Sequence, residues 1–90
     1  MNRGTSPYAV RFKVSAEKEL ARLPVTIQAR VVEAVRALSL VPKPPGVKKL
    51  KGWDDSYRVR VGDYRIVYQL LEKEVVIYVV RIAHRSSVYG

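Results

Sequence analysis

Three arginines stand close together in the run Tyr57-Arg58-Val59-Arg60-Val61-Gly62-Asp63-Tyr64-Arg65. A guanidinium is a planar fork of N–H donors that keeps its charge near neutrality, so such a cluster suits gripping phosphate oxygens better than moving protons. Further along, Arg81-Ile82-Ala83-His84-Arg85-Ser86-Ser87-Val88-Tyr89 gathers the only histidine of the chain with two more arginines and a tyrosine. Imidazole can exchange a proton near neutrality, which makes His84, beside Arg85 and near Tyr89, a candidate for acid or base work on a phosphate ester; a lone histidine can equally be a plain surface residue. A third cationic stretch, Lys48-Lys49-Leu50-Lys51-Gly52-Trp53, offers Lys48, Lys49 and Lys51 for phosphate contact, against the alternative of a solvated loop. Trp53 reads as a core anchor sooner than as a stacking platform.

Elements able to position these groups follow from periodicity. In 57–61 the side chains alternate, so Arg58 and Arg60 share one face of a strand and Tyr57, Val59 and Val61 the other. A two-residue turn at Gly62-Asp63 pairs Val61 with Tyr64, Arg60 with Arg65 and Val59 with Ile66. Arg60 and Arg65 then oppose each other across the hairpin, an arrangement that costs stability unless an anion docks between them; the alternative is that the arginines splay into water or pair with acids such as Asp54 and Asp55. Three strand-like runs are expected at Tyr57–Val61, Tyr64–Leu71 and Val75–Ile82, the last two joined through Glu72-Lys73-Glu74. With Glu72-Lys73 as the turn, His84 falls on the arginine face and Arg81 and Arg85 on the other.

Ahead of them, Tyr8, Val10, Phe12 and Val14 alternate with Ala9, Arg11 and Lys13 as a first strand. Ser15 is the expected cap of a helix that carries Ala16, Leu20 and Leu23 on one face, with Glu17 and Glu19 near its positive end. Pro24 ends that helix and starts a second, which turns Ile27, Val31, Ala34, Val35 and Leu38 inward. Pro42, Pro44, Pro45 and Gly46 make 41–49 a loop. The order β-α-α-β-β-β describes an α+β domain, a mainly antiparallel sheet with an N-terminal helical hairpin packed on one face. Residues 1–7 read as a flexible N-terminal tail and 8–90 as a single domain.

Composition narrows the partners. The chain of 90 residues has 17 Lys and Arg against 8 Asp and Glu, a net charge of +9, so an anionic partner is expected. It has no cysteine, which excludes disulfides and thiolate metal sites, and no cofactor or metal is implied. With no signal-like or membrane-length apolar run, the expected location is cytoplasmic.

Taken together, Leu50-Lys51-Gly52, the run Tyr57 to Tyr68 and the ending Arg81 to Tyr89, in this order behind a helical hairpin, resemble the RelE branch of the RelE/ParE toxins over about residues 8–89. The resemblance implies a RelE-like fold and a toxin of a type II toxin–antitoxin system. Its implied activity is metal-independent endoribonuclease cleavage of mRNA on the ribosome, and its implied partners are a cognate antitoxin protein, mRNA and ribosomal RNA. On this resemblance Arg65 matches the arginine that stabilises the phosphate, Arg85 a second one, and Tyr89 a tyrosine that stacks on a base or helps transfer a proton. Arg58 and Arg60 stand where the best-known branch carries lysines, one of them proposed for proton transfer, a role a guanidinium does not fill. His84 is the replacement the ending suggests; otherwise electrostatics and positioning carry catalysis. Lys48, Lys49, Lys51 and Arg81 would hold the messenger or ribosomal backbone. The alternatives are a ParE-like inhibitor of DNA gyrase without nuclease activity and a catalytically degraded toxin that acts as an antitoxin co-regulator.

Overall fold

In the computed structural model, which describes residues 7–86, five strands and two helices follow one another as β1 (Ala9–Phe12), α1 (Val14–Ala21), α2 (Val25–Leu40), β2 (Lys48–Lys49), β3 (Ser56–Val61), β4 (Tyr64–Leu71) and β5 (Val76–His84). The sheet order is β1-β5-β4-β3-β2. Only β1 runs parallel to its neighbour β5; the other pairs are antiparallel. This is the expected α+β architecture with one addition, since Lys48–Lys49 pairs with β3 as a short edge strand where a loop was expected.

Both helices pack on one sheet face because their apolar stripes have no other cover. Ala16, Val31, Val35 and Leu38 interlock with Ile66, Tyr68, Leu70, Ile77, Val79 and Ile82 in a single buried cluster, with Ile27 and Ala34 packed against it. The inward positions of α2 are therefore those its periodicity predicts. Ser15, by contrast, does not cap α1. The backbone N–H of Lys13 still donates to the Val79 carbonyl at 2.8 Å, and the Lys13 carbonyl already accepts from Glu17, so the helix begins at Val14 and Ser15 lies exposed inside it. At the other end of α1, Gln28 of α2 donates to the Leu23 carbonyl at 2.8 Å and to that of Ala21 at 3.3 Å, so a side chain from the next helix serves carbonyls that the helix end leaves open. Pro24 is the N-cap of α2 rather than its first residue.

The β3–β4 turn is the one expected. Gly62 has φ +59, at the position where a II′ turn requires glycine, and the register pairs Val61 with Tyr64, Arg60 with Arg65 and Val59 with Ile66. A Cβ on Gly62 would also meet the Arg30 guanidinium at 3.3 Å. The β4–β5 connection differs. Leu71 pairs with Val76, so four residues form the turn, and Val75 sits there at φ 58 instead of opening the strand.

The proline loop is tied back by the Tyr68 hydroxyl, which donates to the Pro42 carbonyl at 2.6 Å, while the Tyr57 ring stacks on Tyr68 with centroids 5.9 Å apart. Burial pushes the Tyr68 phenol up to about 12, and the neighbouring Tyr57 adds to the shift. A folded-state value above the unfolded one, about 10, means this group contributes stability that is complete below pH 10 and is lost as pH rises toward 12. Tyr68→Phe is expected to flatten that alkaline loss in pH-dependent melting, while costing about 1 kcal/mol at neutral pH because the Pro42 carbonyl loses its donor.

Candidate nucleic-acid interface

Cross-strand partners in an antiparallel sheet share a face, so the registers state which side chains meet. Lys48 pairs with Arg58, Arg58 with Val67 and Val67 with Arg81, which forms one row across four strands; Arg60, Arg65 and Ala83 form the next row on that face. The intervening row, Val59, Ile66 and Ile82, faces the helices. Five cations thus occupy the face that the helices leave uncovered. Asp54 and Asp55 do not neutralise them: among the described residues no carboxylate lies within ion-pairing distance of Arg58, Arg60 or Arg65. The Nε of Arg65 is buried, and no hydrogen-bond acceptor among the described residues reaches it.

One extra residue in β5 decides which groups join this face. Tyr68 pairs with Val79 but Val67 with Arg81, so Val80 is passed over as a bulge. Without it His84 would share the arginine face, as expected from the sequence; the one-residue shift inverts every later side chain. His84 instead pairs with Tyr64, in the row of Val61 on the helix side, and its ring meets that of Tyr64 edge-on at 5.1 Å. Its Nδ1 accepts from the Ser86 N–H at 3.1 Å and lies 2.7 Å from the Ser86 hydroxyl. The same shift brings Arg81 onto the arginine face.

The bulge sits where β5 runs past the end of β1, whose last residue, Phe12, pairs with Val79. Glu19 of α1 covers this open edge. Its carboxylate accepts from the Ile82 N–H at 2.7 Å and stands 3.8 Å from the Arg81 Nε. The sequence offered Glu19 only as a helix-terminus charge, and nothing in its spacing marks it as a strand-edge acceptor.

Arg85 lies at the hairpin end of the face, two residues past Ala83, the partner of Arg65. Its N–H donates to the Asp63 carbonyl at 2.6 Å and its Nε pairs with the Asp63 carboxylate at 3.2 Å. That pair is more than half exposed, so it is screened by solvent and easily exchanged for another anion. Lys49 pairs with Tyr57 and so belongs to the helix side, opposite Lys48, although it lines one small hollow together with Lys51. Trp53 is 64% exposed and is not the core anchor expected of it. Tyr89 lies outside the described residues.

The structure is thus a small α+β protein with an uncovered sheet face of clustered arginines, the composition expected of a surface suited to anions. Residues 10–89 match the family model of the ParE toxin of type II toxin–antitoxin systems. The chain is 33% identical over 84 residues to toxin RelG of Mycobacterium tuberculosis, covering 92% of this chain and 97% of that one. It is 29% identical over 87 residues to the mRNA interferase toxin RelE of Escherichia coli, covering 92% and 90%. The toxin in the crystal structure of the archaeal RelE–RelB complex from Pyrococcus horikoshii superposes with a TM-score of 0.80 at 32% identity, covering 92% of this chain and all of that one. The protein belongs to the RelE/ParE toxin family of type II toxin–antitoxin systems.

If the Glu19 carboxylate holds the bulge, Glu19→Ala leaves the Ile82 N–H without its acceptor and lowers stability by about 1–3 kcal/mol in denaturant titration. Glu19→Gln keeps an acceptor and is expected to lose less than half as much; equal losses would assign the effect to the Arg81 charge pair instead.

Proposed function

We propose that the protein is an endoribonuclease toxin that cleaves mRNA on the ribosome and is held inactive by a cognate antitoxin. The observation that carries the reading is the row of unneutralised guanidiniums, above all Arg65 with its buried, unpaired Nε. In this chemistry the 2′-hydroxyl of the RNA attacks the adjacent phosphorus, the 5′-oxygen of the next nucleotide leaves, and a 2′,3′-cyclic phosphate remains. The nucleophile belongs to the substrate, so the enzyme has to align it and stabilise charge on the phosphoryl oxygens. Arg65 and Arg60 hold those oxygens, Arg58 and Arg85 flank them, and Lys48, Lys51 and Arg81 bind neighbouring backbone.

Proton transfer is assigned away from His84, which sits on the helix side of the sheet with Nδ1 engaged by Ser86. Tyr89 is the remaining proton-transfer candidate in the sequence. The antitoxin is inferred from the archaeal relative, which was solved together with RelB. An apolar groove between β1 and the helices, lined by Val10, Phe12, Leu20, Val32 and Val35 with Arg36 at its margin, is suited to the apolar face of such a partner.

Primer extension on translated messages after induction tests the class: cuts phased with the ribosome are expected, and their absence alongside trapped gyrase would favour the gyrase-directed alternative. Arg65→Ala is expected to lower cleavage by about 10²–10³-fold, the scale of removing one donor from a developing anion, without loss of melting temperature because a like-charge opposition is relieved. A variant that lost activity only through unfolding would contradict the assignment. Tyr89→Phe should cost roughly 10²-fold and His84→Gln much less, in single-turnover cleavage on programmed ribosomes.

A further inference from the structure

Beside the arginine rows the sheet face opens into a groove of about 670 Å³. Lys13, Lys51, Arg58 and Arg81 supply its cations, and Trp53, Val67 and Val80 are among its apolar walls. Val80 is the residue that the bulge adds, so the irregularity that brings Arg81 to this face also builds the groove. Trp53 is 64% exposed although an indole gains more from burial than almost any side chain. A large aromatic left in water within a ring of cations is the composition of a single-strand binding platform, where bases stack and the charges follow the backbone. Among the described residues no carboxylate lines this groove; Glu19 stands beside Arg81 and is already engaged with Ile82, and Asp54 lines a smaller adjoining hollow that shares Leu50, Lys51 and Trp53 with the groove.

We propose that this groove is a nucleobase subsite: a base of single-stranded RNA stacks on Trp53, and Arg58 and Lys51 hold the phosphate beside it. The inference rests on the nuclease reading for which nucleotide is bound. Arg58 and Arg60 are two residues apart on one strand, about 6.6 Å, so the base on Trp53 belongs to the nucleotide next to the one whose phosphate Arg60 and Arg65 hold. A protein occupant is disfavoured here because four cations surround the apolar wall, whereas the groove lined by Phe12 and Leu20 has only Arg36 at its margin and seats an apolar helix face better.

Trp53 is the only tryptophan in the chain, so its fluorescence reports on this groove directly. The full chain is titrated with a short 2′-O-methyl oligoribonucleotide, which binds but cannot be cut, and with an abasic oligomer of the same length. The base-bearing strand is expected to quench Trp53 and the abasic strand to leave it nearly unchanged. Trp53→Ala, followed by anisotropy of a labelled strand, should bind about 5- to 150-fold more weakly, the range that 1–3 kcal/mol of stacking corresponds to, and Trp53→Phe should recover most of the loss. Circular dichroism confirms that each variant is folded. Wild-type affinity in Trp53→Ala, or equal quenching by the abasic strand, overturns the proposal. Quenching by the antitoxin but not by RNA also overturns it and assigns the groove to protein binding. Cleavage of programmed ribosomes separates the two readings. If RNA is cut and Trp53→Ala binds and cuts normally, the nuclease stands and the subsite falls; if RNA binds through Trp53 but is never cut, the subsite stands and the nuclease falls.

Discussion

Arg60 and Arg65 are fixed opposite each other by a turn that allows no other register, and much of the functional face depends on that opposition. Directly paired residues on neighbouring strands have Cα atoms about 4.5–5.5 Å apart, and like charges leaving the same face at that spacing are destabilising. Moving the two side chains off the shared face would require a register slip, and a one-residue slip would turn Ile66, Tyr68 and Leu70 out of the core. The hydrophobic cluster therefore holds the charges together. The free energy of burying six sheet residues against two helices keeps a cationic face in place that would otherwise relax, and an anion bound there meets donors already gathered.

The bulge at Val80 works on the same principle. A strand is a strict alternator, so no choice of residue types alone can put Arg58 and Arg81 on one face and fold His84 back toward Tyr64; a residue must be added. The place where it can be added at low cost is the segment of β5 beyond β1, where one edge of the strand has no backbone partner. Glu19 supplies the missing acceptor there, which ties the placement of the bulge to the docking of α1. The arrangement of cations is thus a joint property of sheet and helix.

How far this was legible in the sequence follows from the range of each interaction. The β3–β4 hairpin could be read residue by residue because a glycine at a turn position and an alternating pattern are local and agree. The inward face of α2 could be read for the same reason. Family resemblance supplied the toxin assignment, which composition could not. The face of His84 was lost through two local irregularities: a four-residue turn preserves the alternation expected of a two-residue one, and the bulge then reverses it. Neither has a glycine or proline to mark it, since Val75 occupies the positive-φ position and Val80 the bulge. Ser15 looked like a cap because cap preference is judged from the helix alone, whereas the hydrogen bond from Lys13 to Val79 starts the helix earlier. Trp53 was assigned to the core on what tryptophan usually does, and exposure is decided by a loop whose path depends on the whole sheet.

Arginine in place of lysine at 58 and 60 changes what this face can do. A lysine can be driven to release its proton when crowded by like charges, and can then act as a base; a guanidinium under the same crowding stays charged. Repulsion among Arg58, Arg60 and Arg65 therefore cannot be relieved by deprotonation, only by splaying the side chains into water or by a bound anion, which favours a phosphate more than a lysine-bearing face would. Neutral occupants gain nothing from it. The same permanence separates binding from proton transfer: in the proposed nuclease the guanidinium charges stay fixed with pH, so a titration in the reaction would come from a group outside the arginine rows. On a chain with net charge +9, long-range attraction brings any polyanion near and weakens with salt by a slope of about 0.7 per phosphate engaged on a single strand. If the proposed subsite holds, discrimination among polyanions falls to short-range features, the spacing of the two arginine rows and the exposed ring of Trp53, which would favour an unpaired strand with accessible bases over a duplex whose bases are already stacked.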